Sequence, residues 1–112
     1  MDGTFRKCME AAEELAALVL GPYEARPARE DLDVLVSNLV RLGLPLATTV
    51  AAVPATERSP LAAGALRDWT YATQAGAADS GDHALWNHAR GLARVLGSLA
   101  DGIREHQPTS VL

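Results

Sequence analysis

The chain has 112 residues, a formal net charge of −4, one cysteine and five aromatic residues. That length fits one domain with a modest core. The acidic balance and the scattered arginines argue against sequence-independent binding of nucleic acid or an anionic membrane, both of which need clustered Lys and Arg. With 21 Ala and 16 Leu against few Ile, Tyr, Phe and Thr, the composition favours helix over strand.

Taken in order, the periodicity predicts four helices at about 4–20, 31–53, 60–75 and 82–106. In the first, Phe5, Cys8, Met9, Ala12, Leu15, Ala16 and Val19 share a face, and Gly21-Pro22 ends it. Cys8 falls on the apolar side, as a small core residue would. The adjacent carboxylates Glu13 and Glu14 diverge toward solvent.

The second helix, 31–53, carries two apolar stripes. One is Leu32, Leu35, Leu39, Leu42, Leu46, Val50 and Val53; the other is Val36, Val40, Leu44, Ala47 and Ala51. So wide an apolar arc predicts packing on two sides, at the centre of the domain. Asn38 and Arg41 are polar positions on this helix. Pro45 lacks an N–H and crowds the carbonyl of Arg41, so a kink or a break is expected there. A pocket at that point, polar through Asn38 and Arg41, is one candidate site.

Ser59-Pro60 reads as an N-cap followed by Pro at the first helical position of the third helix. Its inner face is Leu61, Ala62, Ala65, Leu66, Trp69 and Ala72, and Gly76 is the natural stop. Asp79 and Asp82 lie in a small polar linker that lacks the further ligands of a calcium loop. The fourth helix has the cleanest pattern, Leu85, Ala89, Leu92, Leu96, Leu99 and Ile103, alternating steps of four and three. Asn87, Arg90, Arg94, Ser98, Asp101 and Glu105 lie outside that seam and read as solvated. Trp69 reads as core. Trp86 sits beside the seam and is a candidate for a groove or a protein interface, where Trp is enriched. His88 lies at the seam's edge, either packed or facing a ligand or partner. The tail from Gln107 is expected to fray.

The pattern therefore predicts an all-α, four-helix antiparallel bundle with a central, proline-kinked second helix. The N-terminal segment does not read as a signal peptide, no apolar run is expected to span a bilayer, and the lone cysteine suits a reducing cytoplasm. His83, His88 and His106 lack metal-ligand spacing. No phosphate loop or nucleophile–base pair is apparent. No metal or cofactor is expected.

The stretch from Asn87 to Asp101 resembles the C-terminal signature of a family of small helical natural-product biosynthesis proteins of unknown function from antibiotic-producing actinobacteria. The family's pattern there reads His-Ala-x-x-Leu-Ala-Arg-x-x-x-x-Leu-x-Asp-His. Leu39 to Pro45 resembles that family's Leu/Pro helix, and Leu61 to Thr73 its Ala-rich segment, so the likeness spans about 30–106. Gly102 stands where the family has its last His. The resemblance implies a specialised-metabolism context and no reaction. Two functional readings follow. The first is a non-enzymatic accessory protein acting by protein contact or self-association. The alternative is a small helical enzyme or carrier holding a hydrophobic metabolite between the second and fourth helices, with His88, Asn38 and Arg41 as polar contacts.

Overall fold

The computed structural model describes residues 3–22, 26–77 and 81–106. These form α1 (Gly3–Val19), α2 (Arg29–Ala51), a short 3-10 turn (Ala55–Glu57), α3 (Pro60–Ala75) and α4 (Asp82–His106). No strand occurs among the described residues, and the chain is an all-α bundle. The linker carboxylate Asp79 and the tail from Gln107 lie outside the described residues.

Helix ends follow the local chemistry. Ser59 caps α3 by accepting the Ala62 N–H at 3.0 Å, with Pro60 at the first position. Gly76 ends α3 with φ of +67°, a backbone conformation that costs a side-chain-bearing residue dearly. Glu30 and Asp31 sit in the first turn of α2, where the helix dipole favours negative charge. Two arginines close C-termini from outside their own helices. Arg90, on α4, donates to the carbonyls of Val19 (3.0 Å) and Gly21 (2.6 Å). Arg58 donates to the carbonyls of Val53 (2.9 Å) and Ala51 (3.0 Å). Each satisfies carbonyls at the end of the helix it caps and puts a cation at its negative end.

Side-chain ties fix the directions of the helices. Arg90 meets the end of α1, and Arg104 makes a two-toothed ion pair with Glu13 at 2.5 and 2.6 Å, so α1 runs antiparallel to α4. At the start of α3, the Ser59 hydroxyl donates to Glu105 at 2.5 Å and the Ser59 N–H to His106 Nε2 at 3.4 Å, so α3 is antiparallel to α4 too. Arg29 pairs with Asp82 at 3.3 Å, which places the N-termini of α2 and α4 together. Helices α2 and α4 each touch all three others, whereas α1 and α3 lie on opposite sides of that pair.

The centre of the bundle is therefore shared, with α4 the more deeply covered. Leu92, Leu96 and Leu99 of its seam are fully buried, and a second line at seven-residue spacing, Trp86, Ala93 and Ala100, is buried as well. On α2 the first stripe behaves as the sequence predicts: Leu32, Leu39, Leu46 and Val50 are buried. The second stripe does so only in part: Ala47 is buried, but the others are not. Val36 and Val40 are half-buried, Ala51 is exposed and Leu44 is 58% exposed. There are only three neighbouring helices, and they cover one side of α2 and its flanks.

Of the two outcomes expected at Pro45, the helix shows no break: α2 runs unbroken from Arg29 to Ala51. Thr48 and Thr49 donate their hydroxyls back to the carbonyls of Leu44 and Pro45, each at 2.8 Å, a geometry that accommodates bending. The special residue of this stretch is Gly43. A Cβ there would lie 2.7 Å from Trp69 Cη2 and 2.8 Å from Leu96 Cδ1, and nearer still to Trp69 Cζ3. The missing side chain is a socket that admits the Trp69 ring between α2 and α4. Gly102 is a second close approach: a Cβ would lie 3.2 Å from Ala62 Cα and Cβ. The imidazole that the resembling family has at this position would drive α3 off α4.

Helix propensity alone favours Ala over Gly by about 1 kcal/mol. At Gly97, where a Cβ meets nothing, Gly97→Ala is expected to raise Tm. At Gly43 overpacking reverses the sign, and Gly43→Ala is expected to cost about 1–3 kcal/mol. Trp69→Leu in the Gly43→Ala background should recover part of that loss, a non-additive cycle readable by urea unfolding. Equal and favourable effects at both glycines would refute the socket.

Candidate functional site

The five residues singled out in the sequence separate in space. Asn38 and Arg41 remain on the outer side of α2, joined to each other by a 3.4 Å contact between Arg41 Nη2 and Asn38 Oδ1. Trp69 is buried against Gly43 and Leu96. Trp86, expected beside a groove, is only 2% exposed. The Arg90 guanidinium lies over its ring, 5.7 Å from the centroid. Its Nε1 is buried without a hydrogen-bond partner. Arg90 is thus not a solvated charge: it caps α1 and covers Trp86 in one placement. Glu13 is likewise engaged, by Arg104, which lowers its carboxyl pKa by hydrogen bonding against the opposing effect of burial.

Among the described residues, three clefts lie on or beside α3 and α4; of the five residues His88 lines two of them, and Asn38, Arg41 and Pro45 line none of the three. One of them, about 390 Å³, runs between α3 and α4, with Asp68, Tyr71 and Ala72 on one wall and His88, Gly91, Arg94 and Val95 on the other. A neighbouring cleft of about 410 Å³ shares Gly76, Asn87 and His88 with it and adds His83. The antiparallel register explains the grouping. With Ser59 at Glu105 and Ala62 at Gly102, Asp68 and Tyr71 come beside the Arg94 turn, and Gly76 comes beside His88. Gly91 carries no side chain to close the space, and a Cβ there would meet nothing within 4 Å.

Sequence reasoning missed Asp68 and Tyr71 and placed Asn87 and Arg94 on a solvated face. One signal was available: His88, Gly91 and Arg94 recur at one-turn spacing, which leaves a gap between two polar groups on one strip.

Burial pushes the His88 pKa below its ordinary 6.5, so the ring is neutral at physiological pH and can both donate and accept. Among the described residues no Ser, Thr or Cys lines this cleft. Cys8 does not line this cleft and lies on the α1–α2 side of the bundle. The Cys8 thiol is half-buried, 3.9 Å from the Leu42 carbonyl. Among the described residues no three His, Cys, Asp or Glu side chains gather as a metal site would need.

Because the folded pKa of His88 is depressed, the unfolded chain takes up its proton first as pH falls. His88 should therefore reduce stability progressively below about pH 6.5, with no effect above it. The Glu13–Arg104 pair acts in a separate, lower window: its contribution is present above pH 4.5 and is lost as pH falls through the folded value. His88→Asn is expected to flatten the Tm–pH curve just below pH 6.5 and leave the acid limb in place. An unchanged slope between pH 6.5 and 5 would refute this. No family model, no curated protein and no solved structure matches the chain, so the reading of these surfaces rests on their own residues.

Proposed function

We propose that the chain is a non-enzymatic accessory protein that works by self-association through the outer face of α2. The specialised-metabolism context comes from the resemblance at 87–101 and belongs to the same proposal. The observation that carries the reading is the charge content of α2. Between Val34 and Thr56 only Arg41 is charged, yet Val34 and Leu44 are each 58% exposed. By length and composition α2 could cross a membrane, and only 28% of its most apolar window is buried inside the fold. Core-facing positions account for Leu32, Leu39, Leu46 and Val50, but not for the apolar residues opposite them. An apolar surface of this kind, rimmed by charge, favours a partner.

A second copy of the same chain suits the charges at its ends. Asp33 and Arg41 are two turns apart on the outer face, with Ser37 midway. Two antiparallel α2 helices crossing at Ser37 set Arg41 of each against Asp33 of the other, and Val34 beside Val40, as a two-fold contact requires. Neither charge is well engaged within the fold: Asp33 is 4.0 Å from Arg29, and Arg41 has only its 3.4 Å contact with Asn38.

Light scattering after gel filtration tests this. The wild-type chain, 11.8 kDa, is expected to run at twice that mass. Leu44→Glu and Val34→Glu should weaken association by roughly tenfold or more, the equivalent of about 1.4 kcal/mol, with helical circular dichroism unchanged. Asp33→Arg or Arg41→Asp alone should weaken it, and the two together should restore it. A wild-type monomer at all concentrations overturns the proposal. So does a monomer that co-sediments with lipid vesicles, which would assign the face to a membrane.

A further inference from the structure

We infer that the cleft between α3 and α4 binds a free aromatic α-amino acid bearing a hydrogen-bonding ring substituent, of which L-tyrosine is the simplest. The inference is independent of the α2 contact, since it concerns other helices and other residues.

The starting point is unused polarity. Asp68, Tyr71, His88 and Arg94 line one cleft, and none of them has a hydrogen bond or ion pair within the described chain. Four of the other arginines are committed to the fold: Arg29 to Asp82, Arg58 and Arg90 to helix carbonyls, Arg104 to Glu13. Asp68 and Arg94 carry opposite charges in the same cleft and still do not pair. Two opposite charges held apart leave room for a group that is itself a compact dipole. The ammonium and carboxylate of an α-amino acid satisfy both: the carboxylate takes the planar guanidinium fork of Arg94, and the ammonium takes the Asp68 carboxylate. A simple anion would leave Asp68 repelling it, and a simple amine would be repelled by Arg94.

The middle of the cleft selects the body of the ligand. Tyr71 is 74% exposed, so its ring offers an uncovered face, and the half-buried Val95 supplies apolar surface on the other wall. A flat ring fits between them, over the space that Gly91 leaves open. The far end holds His88, with Asn87 and Gly76 beside it. A neutral imidazole there accepts a hydrogen bond from a phenol hydroxyl, and Asn87 can share in it. The cleft volume, about 390 Å³, falls within the ~300–1,000 Å³ range of small-ligand sites.

The test is a titration followed by amide ¹H–¹⁵N spectra, with L-tyrosine as probe. Tyramine (no carboxylate), 3-(4-hydroxyphenyl)propionate (no ammonium) and L-phenylalanine (no hydroxyl) are the comparison arms. L-tyrosine is expected to shift the amides of 68–76 and 87–95. Tyramine and the propionate should each bind roughly tenfold more weakly, as loss of a charge-assisted contact implies. Arg94→Gln and Asp68→Asn should weaken L-tyrosine by a similar factor while leaving the rest of the spectrum in place. His88→Leu should abolish the preference for L-tyrosine over L-phenylalanine. Absence of shifts in those two segments up to the solubility limit overturns the inference. Equal binding of L-tyrosine and tyramine, or binding unaffected by Asp68→Asn and Arg94→Gln, overturns it as well.

Discussion

The bundle depends on a side chain that is absent. Gly43 gives α2 a hollow into which α3 inserts the Trp69 ring, with Leu96 of α4 closing the third side. Three helices meet at that point, and any Cβ on α2 would collide with two of them. Burying an indole removes roughly 150–250 Å² from water, worth on the order of 4–6 kcal/mol before the compactness of the unfolded chain is considered. In a domain whose net stability is about 5–15 kcal/mol, one such contact weighs heavily. The geometry also explains why α2 can be central without being covered on both sides. Its depth comes from close approach at Gly43, with Leu39 and Leu46 buried on either side, and not from a ring of neighbours.

Charge serves the same economy. The chain has few aromatics and a thin core; its caps and the Arg29–Asp82 pair fall at helix ends, while Arg104 reaches Glu13 partway along α1. Arg58 and Arg90 each close the C-terminus of a helix they do not belong to, and Ser59 links the start of α3 to the end of α4 through Glu105 and His106. Exposed ion pairs are individually weak, so Arg104–Glu13 adds orientation more than stability. Arg90 differs, because its guanidinium replaces water both at the α1 carbonyls and over Trp86.

The sequence made the helices legible because periodicity and end chemistry are local. The Ser59-Pro60 start, the Gly76 stop and the Leu92–Leu96–Leu99 seam could each be read within a few turns. What could not be read was mutual: which face of one helix meets which face of another. Gly43 stood next to Pro45 and was overshadowed by it, although the glycine proved to be the packing point. Trp86 looked peripheral because the seam was drawn as one line; the parallel line through Ala93 and Ala100 shows only once α4 is known to have three neighbours. Arg90 looked solvated because its partners, the carbonyls of Val19 and Gly21, are backbone atoms that no pattern of side chains reveals. Of the candidate site, His88 was found and its neighbours were not, since Asp68 and Tyr71 reach it only through the α3–α4 register.

That register ties the cleft to the socket. Trp69 lies between Asp68 and Tyr71 in sequence, and the helix turns its side chain inward while theirs turn toward the cleft. Sliding or rotating α3 to widen the cleft would draw the indole out of the Gly43 hollow, and Ala62 against Gly102 resists the same movement one end further on. The wall that carries Asp68 and Tyr71 is therefore held by packing that has nothing to do with the cleft itself. A surface built this way is positioned before anything binds to it, which spares a ligand the entropy of ordering its site. The outer face of α2 is preorganised by the same contact, from the other side: the Gly43 socket fixes one edge of the helix and leaves Val34, Arg41 and Leu44 turned outward on a rigid rod.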